Sequence, residues 1–131
     1  EACIDLNVDG LIISNTTIAR PDTLRSSNRG EMGGLSGPPL FDASTALLAR
    51  AHKLSKGRLI LIGAGGVRDG ATAYAKIRAG AHLVQVYTAL VYKGPGLFER
   101  IRDELAQLLH ADGLDRIEDA IGLDSDSLTT G

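Results

Sequence analysis

Three short stretches of nearly unbroken apolar residues punctuate the chain: Leu11-Ile12-Ile13, Leu59-Ile60-Leu61-Ile62 and His82-Leu83-Val84-Gln85-Val86-Tyr87. Runs of this length without polar alternation predict strands buried on both faces, as in a parallel sheet covered by helices. Between and after them the apolar residues recur at a helical period. Ser44, Leu47, Leu48, Ala51 and Leu54 predict a helix from about Ala43 to Lys56, closed by Gly57, with Arg50 and Lys53 on other faces. Asp69 is placed to cap a second helix that runs to Ala79 and stops at Gly80. Leu97, Ile101, Leu105 and Leu108 form the core stripe of a third, from about Pro95 to His110, with Arg100 and Glu104 as an exposed pair. A short helix is expected around Ile117–Ile121, followed by a frayed Ser/Thr/Asp tail. Glu1-Ala2-Cys3-Ile4 reads as the end of a helix already under way, so a fragment is expected.

The alternation of strand and helix implies a parallel sheet with crossover helices. Each strand ends in Gly, Ser, Asn, Thr or Tyr, and in a (β/α)-barrel those ends open on the ligand-binding face. Three strands cannot close a barrel. The expected α/β architecture is therefore the last three βα units of an eight-stranded TIM (β/α)8 barrel. Residues 1–131 are then the C-terminal part of one domain whose N-terminal part is absent from this chain.

Composition narrows the partners. The chain has 131 residues, 44% hydrophobic and 23% charged, and its 14 basic and 16 acidic residues leave a formal charge of −2. With only 4% aromatic residues it offers neither a basic stripe nor a stacking platform for nucleic acid. One cysteine, Cys3, excludes an internal disulfide and is expected to be a small buried side chain. The apolar runs fall far short of the roughly 18 residues of a membrane span, so the segment itself is expected to be soluble.

The candidate chemistry lies where strands end. Gly63-Ala64-Gly65-Gly66 follows the second strand and precedes the Asp69 cap, an arrangement that brings backbone N–H groups close to an anion. Taken alone, a tight turn explains these glycines equally well. In barrels, phosphate sites lie frequently in the loops after strands seven and eight, the positions of Gly65-Gly66 and of Tyr87-Thr88. From Ile18 to Pro39 no period is sustained. This long loop ends in a second glycine cluster, Gly33-Gly34-Leu35-Ser36-Gly37, which brings Gly37 toward the same anion. Asn15 and Thr16, an amide and a hydroxyl after the first strand, suit a heterocycle with alternating C=O and N–H groups, or simply cap a turn. His52, His82 and His110 have no metal spacing, and Lys93 is a solvated loop lysine or an anion-steering one. No Ser-His-Asp set, paired carboxylates or metal cluster emerges.

Together these stretches carry a resemblance. Ser14-Asn15-Thr16-Thr17 with Arg20-Pro21, Gly33-Gly34-Leu35-Ser36-Gly37-Pro38-Pro39-Leu40, Ile62-Gly63-Ala64-Gly65-Gly66-Val67, and Ala79-Gly80-Ala81 with Leu83-Val84-Gln85-Val86-Tyr87-Thr88 and Lys93-Gly94-Pro95 resemble the C-terminal part of dihydroorotate dehydrogenases. The doubled Thr and the Leu-Ser-Gly-x-Pro-Leu form resemble the class 2, quinone-linked branch. The resemblance runs from about Asp9 to Gly122.

It implies an FMN-dependent enzyme that oxidises (S)-dihydroorotate to orotate in pyrimidine (UMP) biosynthesis and passes electrons to a quinone. By motif, Asn15 and Thr16 would bind the dihydroorotate ring. Ser14, a Thr in much of the family, would contact FMN. Ser36 and Gly37 would approach the flavin, Gly65 and Gly66 would hold its phosphate, and Tyr87 and Thr88 would complete that site. The family's serine base, its flavin-side lysine and its membrane-docking segment belong to the upstream half. No catalytic residue is therefore expected in this segment, which alone should be inactive. The whole protein would be peripheral to a membrane, at the bacterial cytoplasmic face or the mitochondrial inner membrane. Two other readings remain: a class 1 relative with a soluble acceptor, and a non-catalytic phosphate-binding half-barrel.

Overall fold

The computed structural model describes residues 2–129. Its elements in order are α1 (Ala2–Asp5), β1 (Gly10–Ile13), α2 (Phe41–Ser55), β2 (Ile60–Gly63), α3 (Gly70–Arg78), β3 (Leu83–Val84), α4 (Thr88–Lys93) and α5 (Leu97–Ala111), with 3-10 turns at Pro38–Leu40, Ile117–Ala120 and Ser127–Thr129. The three strands are parallel in the order β1-β2-β3, with Gly10 opposite Ile60, Ile13 opposite Gly63, and Ile62 opposite Leu83. This is the architecture of a partial barrel.

Alternation along the strands separates two faces. Ile13 and Leu61 point to the helices and share a core with Leu48, Ala49, Leu59, Ala79 and Ala81. A second core joins Val67 and Ala73 to Leu97 and Ile101 of α5, and a third joins Tyr74 and Ile77 to Ala120. The opposite face of the sheet is apolar and open: Ile12, Ile60 and Leu83 are 56%, 49% and 59% exposed. The expectation of strands buried on both faces therefore fails here, because three strands leave the inner face without an opposing layer. Only Leu83–Val84 of the third apolar run pairs in register.

Asp69 caps α3 as its sequence predicts. Its carboxylate accepts from the Thr72 N–H at 2.8 Å, and its own N–H donates to the Thr72 hydroxyl at 3.1 Å. Elsewhere the helices differ from expectation. The buried face of α2 is Ser44, Thr45, Leu48 and Ala49, while Leu47 and Leu54 are exposed. Arg100 and Glu104 do not pair. The Glu104 carboxylate accepts from the N–H of Gly70 and satisfies the first turn of α3, and Arg100 donates to the Lys93 carbonyl at 3.2 Å.

The tail is docked rather than frayed up to Thr129. Arg78 grips Asp124 through two bonds of 2.6 and 2.7 Å, and Lys53 bridges to Asp126 at 3.0 Å and to Thr129 at 2.9 Å. Thr130 and Gly131, also assigned to that tail, lie outside the described residues. Cys3 is half-buried against the first core. His52 is wedged between Gly80 and Gly122, where an added Cβ would meet its ring at 2.4 Å from either side. The His82 ring accepts from the Leu61 N–H at 3.1 Å, and His110 is exposed.

Candidate functional site

The carboxyl ends of the three strands open on one cleft of about 410 Å³. All nine residues singled out in the sequence line it: Ser14, Asn15 and Thr16 after β1, Ser36 and Gly37 at the end of the long loop, Gly65 and Gly66 after β2, and Tyr87 and Thr88 after β3. Leu40, Val67, Ala89 and Tyr92 supply apolar and aromatic wall, which suits a ligand with a flat apolar part.

The β1 edge holds its polar groups by local bonds. Asn15 Oδ1 accepts from the Thr16 N–H at 2.8 Å, so the amide does cap a turn, and its NH2 group meets no acceptor among the described residues. Thr16 sits directly over Gly34, where an added Cβ would come within 1.9 Å of Thr16 Oγ1. Gly34 thus makes room for a side chain rather than for a ligand. Thr88 Oγ1 donates to Ser36 Oγ at 3.1 Å and ties the end of the long loop to the β3 edge.

The turn after β2 is built differently. Gly65 and Gly66 have φ of 98° and 75°, a region that disfavours any side chain. A Cβ on Gly66 would lie 2.6 to 2.9 Å from Phe41, and one on Gly65 would lie 2.9 Å from Ser44 Oγ. The need for glycine is therefore set by the start of α2 behind the turn. With its back packed, the turn presents the N–H groups of Gly65, Gly66 and Val67 without an acceptor among the described residues, and those of Thr88 and Ala89 are likewise unpaired. Backbone donors left open in a cleft are satisfied by an anion or by water.

Electrostatics favour the anion. Arg68 and Lys93 line the cleft and no carboxylate does. Lys93 Nζ donates to the Arg68 carbonyl at 2.8 Å, which fixes the ammonium at the rim. Asp69 next door is turned into its capping box. Burial pushes its carboxyl up, but the bonds from Thr72 and the charges of Arg68 and Lys93 hold it below the usual range. No three His, Cys, Asp or Glu residues among the described ones form a metal site.

Sequence reasoning missed Arg68, Gln85 and Tyr92 of the lining. Arg68 directly follows the glycine turn, a position from which proximity to the same anion is legible; Tyr92 belongs to α4, an element with no visible period. It also missed Lys76, which is fully buried behind the turn and donates to Ser44 Oγ at 2.6 Å.

A family model described as dihydroorotate dehydrogenase matches residues 1–109. The dihydroorotate dehydrogenase (quinone) of Azorhizobium caulinodans is 56% identical over 124 residues, which cover 95% of this chain and 35% of that protein. A mitochondrial dihydroorotate dehydrogenase (quinone) from Oryza sativa subsp. japonica is 52% identical over 120 residues, 91% of this chain and 26% of that protein. Among solved structures, a ligand-free DHODH from Eimeria tenella superposes with a TM-score of 0.90 at 45% identity, covering 93% of this chain and 34% of that one. The chain spans about a third of the length of the bacterial relatives it matches.

Proposed function

Because this chain belongs to the dihydroorotate dehydrogenase family, we propose that it forms the last three βα units of a single FMN-binding (β/α)8 barrel that oxidises (S)-dihydroorotate to orotate with a quinone as acceptor. The reaction serves pyrimidine biosynthesis. The observation that carries this reading is one cleft that combines unpaired amides at Gly65, Gly66 and Thr88, two cations and no carboxylate with an amide and a hydroxyl at its mouth. The open apolar face of the sheet supports a larger barrel over a free-standing half-barrel module. Relatives named dihydroorotate dehydrogenase (quinone) support a quinone over a soluble acceptor.

FMN fits the cradle, and when bound it supplies the hydride acceptor. Gly65 and Gly66 hold the phosphate through backbone N–H groups, with Tyr87 and Thr88 closing the site from the β3 edge. Ser14, Ser36 and Gly37 border the flavin. The Asn15 NH2 group and the Thr16 hydroxyl hydrogen-bond the dihydroorotate ring and orient it. The resemblance places the proton-accepting base upstream of this chain; in support, Ser14 Oγ donates to the Asn15 carbonyl and Ser36 Oγ accepts from Thr88, so neither stands beside a group able to take its proton. No helix among the described residues is long and apolar enough to cross a membrane. Peripheral membrane contact, at the bacterial inner membrane or the mitochondrial one, falls to a segment upstream.

The test is quinone reduction by the full-length protein. Addition of dihydroorotate should reduce a short-chain quinone, and orotate should accumulate in equal amount. Turnover with a soluble acceptor but not with quinone would move the protein to the other branch, and no dihydroorotate oxidation would overturn the reading.

A further inference from the structure

Lys76 is a charged side chain with no exposed surface and no assigned task. It lies on α3 with its ammonium 5.1 Å from the centre of the Phe41 ring. Its one hydrogen bond runs to Ser44 Oγ, and no carboxylate among the described residues lies within ion-pair distance. A buried, unpaired ammonium is costly, so something must compensate for it. Burial lowers its pKa to about 8, with the Asp42 carboxylate pulling the other way.

What the ammonium reaches is the back of the glycine turn. Ser44 Oγ lies 3.0 Å from the Phe41 carbonyl and 3.2 Å from the Gly65 carbonyl. The Phe41 carbonyl also accepts from Thr45 Oγ1 at 2.6 Å, so a Ser44 proton turned to Gly65 leaves neither carbonyl without a donor. A chain of donors therefore runs from Lys76 through Ser44 to the Gly65 carbonyl. In a trans peptide the C=O and the following N–H point in opposite directions. With the Gly65 carbonyl held toward Ser44, the Gly66 N–H is turned the other way, into the cleft.

We propose that Lys76 is a positioning residue for the phosphate end of the cleft, acting through Ser44 to hold the Gly65–Gly66 peptide with its N–H toward the ligand; this rests on the flavin reading above. The buried positive charge lies behind the same peptide and strengthens its pull on an anion. A second helix residue thus sets the ligand preference of a turn it never shares with the ligand.

The experiment compares FMN with riboflavin, which lacks the phosphate, in the full-length protein stripped of flavin. Dissociation constants are read from quenching of flavin fluorescence. Lys76→Met should weaken FMN by about tenfold or more and leave riboflavin within about twofold, as expected for loss of a charge-assisted contact. Equal weakening of both flavins, or no change in either, would overturn the inference. Should Lys76→Met not fold, Ser44→Ala cuts the same chain with a small volume change and should shift the FMN-to-riboflavin ratio in the same direction; an unchanged ratio there counts against the inference equally. A wild-type protein that binds neither flavin would overturn the reading of the site itself.

Discussion

The turn after β2 and the loop after β1 leave the same edge of the sheet and line the same cleft, yet they are held by different means. The first is short and is fixed from behind, by Phe41, Ser44 and buried Lys76. The second is long and exposed, and one side chain organises much of it. Arg20 donates to the carbonyls of Arg29 at 3.0 Å, Ile18 at 3.1 Å, Glu31 at 2.9 Å and Gly33 at 2.7 Å, and an isolated bridge joins Thr17 to Leu35. Packing defines the wall after β2, whereas surface hydrogen bonds exposed to water define the wall after β1. Surface hydrogen bonds open at low free energy and packed turns do not. The β2 end of the cleft is thus the more firmly packed, and the loop bordering Asn15 and Thr16 rests on bonds that water can replace.

The sharpest way to break this contrast is Gly66→Val. Left-handed strain of about 1–3 kcal/mol adds to overlap with Phe41, for a total of about 3 kcal/mol or more. Thermal stability and flavin content should fall together. Loss of flavin with unchanged stability would mean that the glycine serves the ligand directly and not the packing behind it.

Asn15→Ala probes the other wall. It should keep its flavin and lower kcat/KM for dihydroorotate by about 5- to 150-fold, the equivalent of about 1–3 kcal/mol for a ring polar group left unpaired. Normal turnover would remove Asn15 from the substrate contacts.

Arg20→Ala should act locally. Cleavage by added protease between residues 21 and 33 should accelerate several-fold, while global stability changes by about 1 kcal/mol or less. A large global loss would show that the loop is as integral to the fold as the β2 turn.

The smallest effect is expected away from the cleft. The bond from Arg78 holds the Asp124 carboxyl below its usual range, against the upward push of burial. A depressed carboxyl stabilises fully above its unfolded value, about 3.9, and loses that contribution as pH falls through the lowered value. The protection of the Asp124 amide, bonded to the Arg78 carbonyl at 2.8 Å, measured against its intrinsic exchange rate at each pH, should therefore fall on acidification below about pH 4, while amides of β2 stay protected.

How much of this was legible in the chain depends on whether the signal was local. The β2 run, the Gly65-Gly66 turn and the Asp69 cap lie within a dozen positions and read correctly, because strand, turn and cap each have a short-range pattern. Asn15, Thr16, Gly65, Gly66, Tyr87 and Thr88 were found because strand ends in a parallel sheet share a face, Gly37 from the glycine cluster that closes the long loop, and Ser14 and Ser36 from the family resemblance. Helix α4 was not, since six residues are too few to show a period. Arg100 and Glu104 have the spacing of an exposed pair, but the unsatisfied N–H of Gly70, 34 positions earlier, takes the carboxylate. Lys76 drew no reading from the sequence of its own helix. Its burial is decided by Ser44, 32 positions away on α2, and no local pattern carries that.

The cleft at the strand ends is proposed to hold the phosphate of FMN. Titration of FMN and riboflavin into the full-length protein stripped of flavin tests it most directly. One FMN per chain, bound at least about tenfold more tightly than riboflavin, is the predicted result. Equal affinity for the two flavins, or no binding of FMN, would contradict it.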